Sequence, residues 1–346
     1  MLESESEWRS GKPSGLRHPY EPRHFVYARP PVKTMLNKAG QIARGTSILL
    51  LMGVNTVVLT STIFVLSVGK FLAPAGAAQD FVRRVLAAIA ELWISINNVL
   101  LSRYAKTRWD VEIPQDLDRR GCYLVNSNHQ SWVDILVLQR CFNRRLPLLR
   151  FFLKSQLIRV PFLGVAWWAL DFPFMKRASK AQLARQPGLQ GKDLENARKA
   201  CEKFRDIPVA MMNFPEGTRF SVAKRDAGNS PYKNLLLPRI GGVGQVLFAL
   251  SDQLDALIDV TIVYPRDGQS QTAPTFWQLL SGQLPEIIVR AKQHEIPTHL
   301  LGRNFRKDRE FRRALESWSN GLWLEKDRLI SNIQKSHEDS KEPLNY

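Results

Sequence analysis

The apolar run at residues 45–69, GTSILLLMGVNTVVLTSTIFVLSVG, restricts the possible folds of this chain more than any other feature. It lies between Arg44 and Lys70 and contains no charged residue. As a helix it would extend about 37 Å at about 1.5 Å per residue, which is enough to cross the core of a bilayer. The small residues that follow, APAGAA, resemble a signal-peptidase site, but the basic region and the run are both too long for an ordinary signal peptide. We therefore interpret the run as a retained membrane anchor.

A second apolar stretch, residues 85–101, follows the first. Its polar residues Glu91, Asn97 and Asn98 make it a poor candidate for a deep span. It is either the return leg of a helical hairpin or a helix that lies in the membrane interface. Lys and Arg residues flank both stretches, so the positive-inside rule does not decide between these arrangements.

The composition favours partners with negative charge. The chain has 346 residues and a formal net charge of +17, so its field attracts nucleic acid, anionic lipid or phosphorylated small molecules. Hydrophobic residues at 44% and charged residues at 23% argue against a protein made mostly of membrane spans. The three cysteines, Cys122, Cys141 and Cys201, follow no metal-ligand or disulfide pattern, and we expect them to be reduced packing residues that face a reducing compartment.

After the apolar stretches, short apolar runs alternate with helix-like segments. The predicted strands are 122–127, 149–154, 171–176, 209–214, 260–264 and 286–290, and the predicted helices are 131–142, 188–206, 242–251 and 307–329. This alternation predicts an α/β fold with a central, mostly parallel mixed sheet flanked by helices and preceded by the membrane-anchoring helical segment.

The same pattern divides the chain into four parts. Residues 1–44, rich in Pro, Lys and Arg, are expected to form a flexible basic arm. Residues 45–102 form the anchor, with one spanning helix and a second helix that spans or lies in the interface. Residues 103–330 form the α/β domain, and residues 331–346 form a polar, disordered tail.

The segment NHQSWVD, residues 128–134, ends a predicted strand and leads into a predicted helix. At such a strand end a side chain enters the crevice of an open α/β sheet, so His129 could act as a base with Asp134 as its partner. The alternative is purely structural, because Ser131 as N-cap and Asp134 in the first turn form a capping-box-like pair. If Ser131 is the N-cap, Asp134 leans back towards His129, since helical side chains tilt towards the N-terminus. The residues alone leave both interpretations open.

A second polar segment, NFPEGTRFS at residues 213–221, also follows a predicted strand. Gly217 can bring backbone amides close to an anion, Thr218 offers a hydroxyl, and Arg219 offers a guanidinium suited to phosphate. An ordinary polar turn explains the segment equally well when it is taken alone.

Further cations end two other predicted strands, with Lys154 at one and the pair Lys176-Arg177 at the other. A lone basic residue at a strand end is usually a solvated side chain. Together with Arg219, however, these cations could converge on one phosphate.

Taken in chain order, these segments resemble a known family. His-x4-Asp, a strand that ends in Arg, Phe-Pro-Glu-Gly-Thr-Arg and the apolar strand VTIVYP follow one another between residues 105 and 265. The order resembles the four sequence blocks of the glycerophospholipid acyltransferases, that is, the 1-acylglycerol-3-phosphate acyltransferases and their relatives. The segments NHQSWVD, LDFPFMKR and FPEGTRF are most similar to the lysocardiolipin and long-chain acyltransferase subgroup.

The resemblance implies a role for each matching residue. His129 would be the general base and Asp134 its orienting partner. The residues that it assigns to the substrate, mainly to the phosphate of the acceptor, are Lys154, Arg177, Glu216, Gly217, Thr218 and Arg219. Two departures bear on the identity of the acceptor: Phe172 stands where the family commonly has Gly, and Gln156 where it frequently has Glu.

The implied function is transfer of a fatty acyl group, from acyl-CoA or acyl carrier protein, to the free hydroxyl of a lysophospholipid. Lysophosphatidic acid, which would give phosphatidic acid, is the expected acceptor, and remodelling of another lysophospholipid is the alternative. We expect no cofactor and no metal, because histidine suits proton removal near neutral pH and no Cys/His cluster is present. The donor is cytosolic, so we expect the domain on the cytoplasmic face of its membrane, the inner membrane in a bacterium.

Two other classes of protein were compared with this interpretation. A membrane-surface protein that binds anionic lipid without chemistry would explain the charge and the anchor, but not the two motifs at strand ends. Nucleic-acid binding rests on the net charge alone, since the tryptophans follow no RNA-recognition pattern. We therefore expect no nucleic-acid partner.

Overall fold

Two long helices open the described part of the chain: α1, Val32–Leu72, and α2, Ala77–Tyr104. The computed structural model describes residues 32–72, 74, 76–175, 195, 198–201, 204, 207–265, 273–305 and 307–340. Within α1 the segment Leu36–Gly69, and all of α2, are long and apolar enough to cross a membrane by length and composition. The prediction of a flexible arm is wrong for residues 32–44, which already belong to α1. Residues 1–31 of that arm lie outside the described residues.

Polar side chains connect the two helices. Nδ2 of Asn55 donates hydrogen bonds to Oδ1 of Asn97, at 2.9 Å, and to the carbonyl of Trp93, at 3.0 Å. In return, Nε1 of Trp93 donates to Oγ1 of Thr56 at 3.1 Å. Asn97 argued against a deep span when the sequence was considered alone. In the structure it is part of a polar contact between the two helices.

The sheet has the predicted mostly parallel, mixed topology. Its strands among the described residues are β1 Arg108–Glu112, β2 Cys122–Ser127, β3 Leu149–Arg150, β6 Val209–Asn213, β7 Ala256–Val263 and β8 Glu286–His294, and a separate parallel pair is β4 Leu153–Lys154 with β5 Phe174–Met175. The order across the sheet is β1-β8-β7-β2-β6-β3, and only the β7–β8 pairing is antiparallel within the described part. The fold-class prediction is confirmed.

Helices cover both faces of the sheet. They are α3 Val133–Phe142, α4 Leu163–Ala169, α5 Val222–Ala227, α6 Ile240–Ala249, α7 Phe276–Ser281 and α8 Arg309–Asp339. Alternate residues of β2 point to opposite faces. Tyr123 and Val125 belong to a core cluster with α3 and the two long helices, whereas Leu124 belongs to a second cluster with α6 and α8.

Several predicted elements have different bounds in the structure. The run 149–154 is divided between β3 and β4, and in the described part of the run 171–176 the strand is the two residues of β5. Strand β1 was not predicted, because its sequence RWDVE is polar and lies at an edge of the sheet. The predicted helix 188–206 lies largely outside the described residues.

The final helix is longer than predicted. The tail was expected to be disordered from residue 331, but α8 continues to Asp339, so that prediction is wrong for residues 331–339. Tertiary contacts extend the helix: Ile330 is buried, Ile333 packs against the same cluster, and Nδ1 of His337 lies 3.5 Å from Oε2 of Glu286. A polar sequence does not reveal such contacts.

Candidate active site

The two segments singled out in the sequence meet at one edge of the sheet. Strands β2 and β6 are parallel and in register from Cys122 opposite Val209 onwards, so their carboxyl ends lie side by side. His129 follows β2 and Phe214 follows β6. Their rings stack with centroids 3.9 Å apart and planes inclined by 15°. This stacking holds the imidazole against the end of the neighbouring strand.

His129 and Asp134 form a hydrogen-bonded pair. Nδ1 of His129 lies 2.8 Å from Oδ2 of Asp134, whose side chain is 0% exposed. The other carboxylate oxygen accepts a hydrogen bond from the hydroxyl of Tyr264 at 2.5 Å. Because a carboxylate accepts hydrogen bonds, it favours the imidazole tautomer that carries its proton on Nδ1, and that tautomer leaves Nε2 as a proton acceptor.

The same carboxylate also caps the incoming chain, so the His129–Asp134 contact and the cap at the helix start are both present. Oδ2 of Asp134 accepts the backbone N–H groups of Gln130, at 2.6 Å, and of Ser131, at 2.8 Å. Oγ of Ser131 in turn accepts the N–H of Val133 at 3.1 Å. The helix begins at Val133 with Trp132 at the N-cap, one residue later than predicted. The bonds resemble a capping box centred on Ser131, except that its hydroxyl accepts the N–H two residues on rather than three.

Glu216 binds the backbone of His129 and does not line the cavity. It is 1% exposed, and its two oxygens accept backbone N–H groups from two different segments, that of His129 at 2.7 Å and that of Leu236 at 3.0 Å. Burial raises the pKa of Glu216 to about 7, although both backbone hydrogen bonds act in the opposite direction. The carboxylate therefore joins the histidine loop to a loop more than one hundred residues further along the chain.

The residues after Glu216 form the wall of a cavity. Gly217 has a φ of 67°, and its N–H closes a turn by donating to the carbonyl of Phe214 at 2.9 Å. Oγ1 of Thr218 accepts a hydrogen bond from Nζ of Lys224 at 2.9 Å. The guanidinium carbon of Arg219 lies 5.4 Å from the centre of the Trp132 ring. Gly217 thus uses its amide within the turn, and Arg219 is held near the start of α3 by a cation–π contact.

The cavity has a volume of about 1000 Å³, and His129 is one of its lining residues. It follows α3, whose 10 residues correspond to about 15 Å, and side chains from Trp132 to Asn143 line it. Helices α1 and α2 supply further walls, including Leu59, Ile63 and Ile94. An apolar cavity that is lined by the histidine of a histidine–carboxylate pair can hold a hydrocarbon chain with its polar end at the imidazole.

Comparison with known proteins agrees with this geometry. Residues 108–263, from the first residue of β1 to the last of β7, match the family model described as Acyltransferase. These residues thus match an acyltransferase domain.

Named relatives are similar over part of their length. The 1-acyl-sn-glycerol-3-phosphate acyltransferase epsilon of Mus musculus is 23% identical over 235 residues, which cover 62% of this chain and 59% of that protein. The probable 1-acyl-sn-glycerol-3-phosphate acyltransferase 5 of Arabidopsis thaliana is 26% identical, with 61% of this chain and 53% of that protein covered. The 2-acyl-1-lysophosphatidylinositol acyltransferase of Saccharomyces cerevisiae is 26% identical, with 62% of each covered. The chain thus spans 53% to 62% of the length of these relatives.

One solved structure has a similar fold. The crystal structure of the 1-acyl-sn-glycerophosphate (LPA) acyltransferase PlsC from Thermotoga maritima aligns with a TM-score of 0.50 over 90% of this chain and 100% of that chain. The identity is 14%, so the likeness concerns the fold.

Two predicted phosphate ligands of the acyltransferase domain cannot be placed beside this cavity. Lys154 ends β4, and only its backbone is described. Arg177 lies outside the described residues. The predicted convergence of three cations on one phosphate stays a prediction, with Arg219 as its described member.

Sequence reasoning missed three residues of the acyltransferase domain and its surroundings. Tyr264 was quoted only as part of the apolar block VTIVYP, and Arg239 stands outside every motif. Lys326 belongs to a helix of mostly polar sequence, in which a lysine is expected to be exposed. Its side chain is nevertheless 0% exposed, and Nζ lies 3.0 Å from Oδ1 of Asp259. A Tyr at the end of a buried strand is the only signal that could have pointed to one of them.

Proposed function

We propose that this protein is a membrane-bound acyltransferase that moves a fatty acyl group from a thioester donor to the free hydroxyl of a lysophospholipid. The observation that carries the proposal is the His129–Asp134 pair, whose histidine lines the apolar cavity. Acyl transfer needs a base at the reacting hydroxyl and an apolar site for the fatty chain, and this arrangement provides both.

In the proposed reaction His129 acts as the general base. Its Nε2 removes the proton of the acceptor hydroxyl while the hydroxyl oxygen attacks the thioester carbonyl. The tetrahedral intermediate then breaks its carbon–sulfur bond, and the imidazolium returns the proton to the leaving thiolate. Asp134 holds the imidazole tautomer and stabilises the imidazolium without being protonated itself. No covalent acyl-enzyme, metal or cofactor enters this scheme.

We propose lysophosphatidic acid as the acceptor, with phosphatidic acid as the product. Arg219 would bind the acceptor's phosphate, and Lys154 and Arg177 stay in the proposal as further phosphate ligands. Support comes from the two relatives named as 1-acyl-sn-glycerol-3-phosphate acyltransferases. The yeast relative is named for lysophosphatidylinositol, and this observation makes another lysophospholipid the second candidate.

The donor would be acyl-CoA or acyl carrier protein, on the cytoplasmic side of the membrane. The three cysteines are buried and form no disulfide among the described residues, which fits a reducing compartment. Helices α1 and α2 would hold the domain at the bilayer, since each is long and apolar enough to cross it. The large apolar side chains that α1 exposes, such as Leu50, Val54 and Phe64, support this position.

The test is an acyltransferase assay on membranes that contain the full chain. Labelled acyl-CoA is offered with lysophosphatidic acid, lysophosphatidylinositol and other lysophospholipids. The variant His129→Ala should lose at least about 100-fold in kcat, the usual contribution of a general base. His299→Ala, which removes an exposed histidine that does not line the cavity, is the matched control. Full activity of His129→Ala would show that the mechanism is wrong.

The non-catalytic alternative gives a different result in the same experiment. A protein that only binds anionic lipid would transfer no label with any acceptor, and its lipid binding would not depend on His129. Arg219→Ala should mainly raise the KM for the acceptor, with Arg313→Ala on the exposed face of α8 as its control. An unchanged KM would remove Arg219 from the phosphate site.

A further inference from the structure

Arg239 enters the cavity from a segment that no motif marks. It directly precedes α6, and its backbone N–H donates to the carbonyl of Pro215 at 2.7 Å, which fixes the residue against the turn that follows β6. Its exposed side chain lines the same cavity as His129 and Arg219. Within the described residues its guanidinium forms no ion pair with a carboxylate, so its charge is available to a ligand.

The turn at Gly217 makes room for this side chain. A Cβ atom at position 217 would lie 3.2 Å from Cδ of Arg239 and 3.4 Å from Nη1. The residue also has the left-handed φ of 67°, which glycine adopts without steric cost. Gly217 therefore allows the guanidinium of Arg239 to lie directly over the turn that carries Thr218 and Arg219.

The other basic groups near this turn are either engaged or remote. Nζ of Lys224 donates to Thr218 and to the carbonyl of Arg219, both at 2.9 Å, so it supports the turn rather than the cavity. The described basic residues that line the cavity are Arg144, Arg219 and Arg239. Arg144 follows the far end of α3, about 15 Å from the start of that helix. Arg219 and Arg239 are thus the two guanidinium groups at the His129 end.

We propose that Arg239 binds a phosphate of the substrate and forms a clamp with Arg219 around the Gly217 turn. The inference rests on the proposed function and adds a specificity residue to it. A guanidinium matches phosphate oxygens in a bidentate geometry, and two of them at one end of an apolar cavity select a molecule with an anionic head and a hydrocarbon chain. The phosphate belongs either to the lysophospholipid acceptor or to the CoA part of the donor.

Four combinations of substrates distinguish these sources. The acceptor is lysophosphatidic acid or the phosphate-free monoacylglycerol of the same chain, and the donor is acyl-CoA or the phosphate-free acyl thioester of N-acetylcysteamine. Arg239→Gln removes the charge and keeps much of the length of the side chain. We expect this variant to lower kcat/KM by about 10- to 100-fold in every combination that contains the phosphate bound by Arg239. Arg239→Lys should recover part of the loss, and Arg313→Ala is the control.

The pattern of losses decides the assignment. A loss with lysophosphatidic acid but not with monoacylglycerol places Arg239 at the acceptor, and a loss with acyl-CoA but not with the small thioester places it at the donor. Equal losses in all four combinations, or none, would overturn the proposal. Thermal unfolding in detergent should be the same for wild type and Arg239→Gln, which excludes a general loss of structure.

A binding measurement separates this inference from the proposed function. Binding of lysophosphatidic acid and of CoA to the purified full chain is compared between wild type and Arg239→Gln without turnover. Loss of binding of one ligand supports the clamp even if no acyl group is transferred. Unchanged binding of both ligands contradicts it, even if activity depends fully on His129.

Discussion

The hydroxyl of Tyr264 donates a hydrogen bond of 2.5 Å to Asp134, the carboxylate that holds His129. The two partners are 130 positions apart in the chain, and both are buried. Burial and the neighbouring carboxylate raise the pKa of Tyr264 well above its usual value, so the phenol remains a donor throughout the accessible pH range. The second oxygen of Asp134 is thereby fixed from the end of β7.

Tyr264→Phe should therefore affect both stability and catalysis. A hydrogen bond to a charged group contributes about 2 kcal/mol, and the variant should lose stability of that order. The less constrained carboxylate orients His129 less well, so kcat should fall about tenfold, equivalent to about 1.4 kcal/mol, with little change in KM. Steady-state kinetics and thermal unfolding in detergent measure the two effects. Tyr232→Phe, which loses contacts of 3.4 Å to Asn320, should change neither by a comparable amount.

Glu216 should make stability depend on pH. Its pKa is about 7 in the folded protein and about 4.5 in the unfolded chain, so the folded state holds an extra proton between these values. The stability of wild type should decrease as the pH rises from 5 to 8, by about 3 kcal/mol from this group. Glu216→Gln cannot titrate, so the wild-type advantage over the variant should shrink as the pH rises. The check is the unfolding temperature of both proteins from pH 5 to pH 8, and an advantage that grows with pH would contradict it.

Lys326 should be important for stability although it does not line the cavity. Its buried Nζ lies near Asp259 and donates to the carbonyl of Val260 and the hydroxyl of Thr261. Lys326→Met leaves Asp259 as an uncompensated buried charge, and we expect a loss of about 3–5 kcal/mol. The double variant Lys326→Met with Asp259→Asn should recover much of it, because neither charge remains. Denaturant unfolding of the three proteins gives the comparison, and additive losses would show that the two side chains do not interact.

Gly217→Ala should reduce activity through two effects. The left-handed φ costs a residue with a Cβ about 1–2 kcal/mol, and the new methyl group would displace the side chain of Arg239. Activity with lysophosphatidic acid should therefore fall more than a loss of stability alone explains. Gly321→Ala, in α8 with open space around its Cβ position, is the control and should keep full activity. Equal activity of the two variants would mean that the close approach at Gly217 has no functional role.

Much of the local structure of the site could be predicted from the sequence. The strand 122–127 was predicted with its observed bounds, and the capping pattern of Ser131 and Asp134 placed the carboxylate on the side of His129. Such features depend on hydrogen bonds and side-chain directions within a few residues, which spacing determines. The two long apolar helices could also be predicted, and both are long and apolar enough to cross a membrane by length and composition.

The tertiary structure decided which distant groups complete the site. Glu216 meets the N–H of His129 from 87 positions away, and Arg239 reaches the cavity from a loop without a motif. These contacts depend on the register of β2 against β6 and β7 and on the path of the loops between them, and no local pattern encodes either. The sequence by itself thus determined only that a histidine and an aspartate stand beside a helix start, at a spacing that allows them to form a pair. Only the packing of remote segments decided that one end of this carboxylate is held by Tyr264, that the histidine loop rests on a buried glutamate, and that a second guanidinium faces the same cavity.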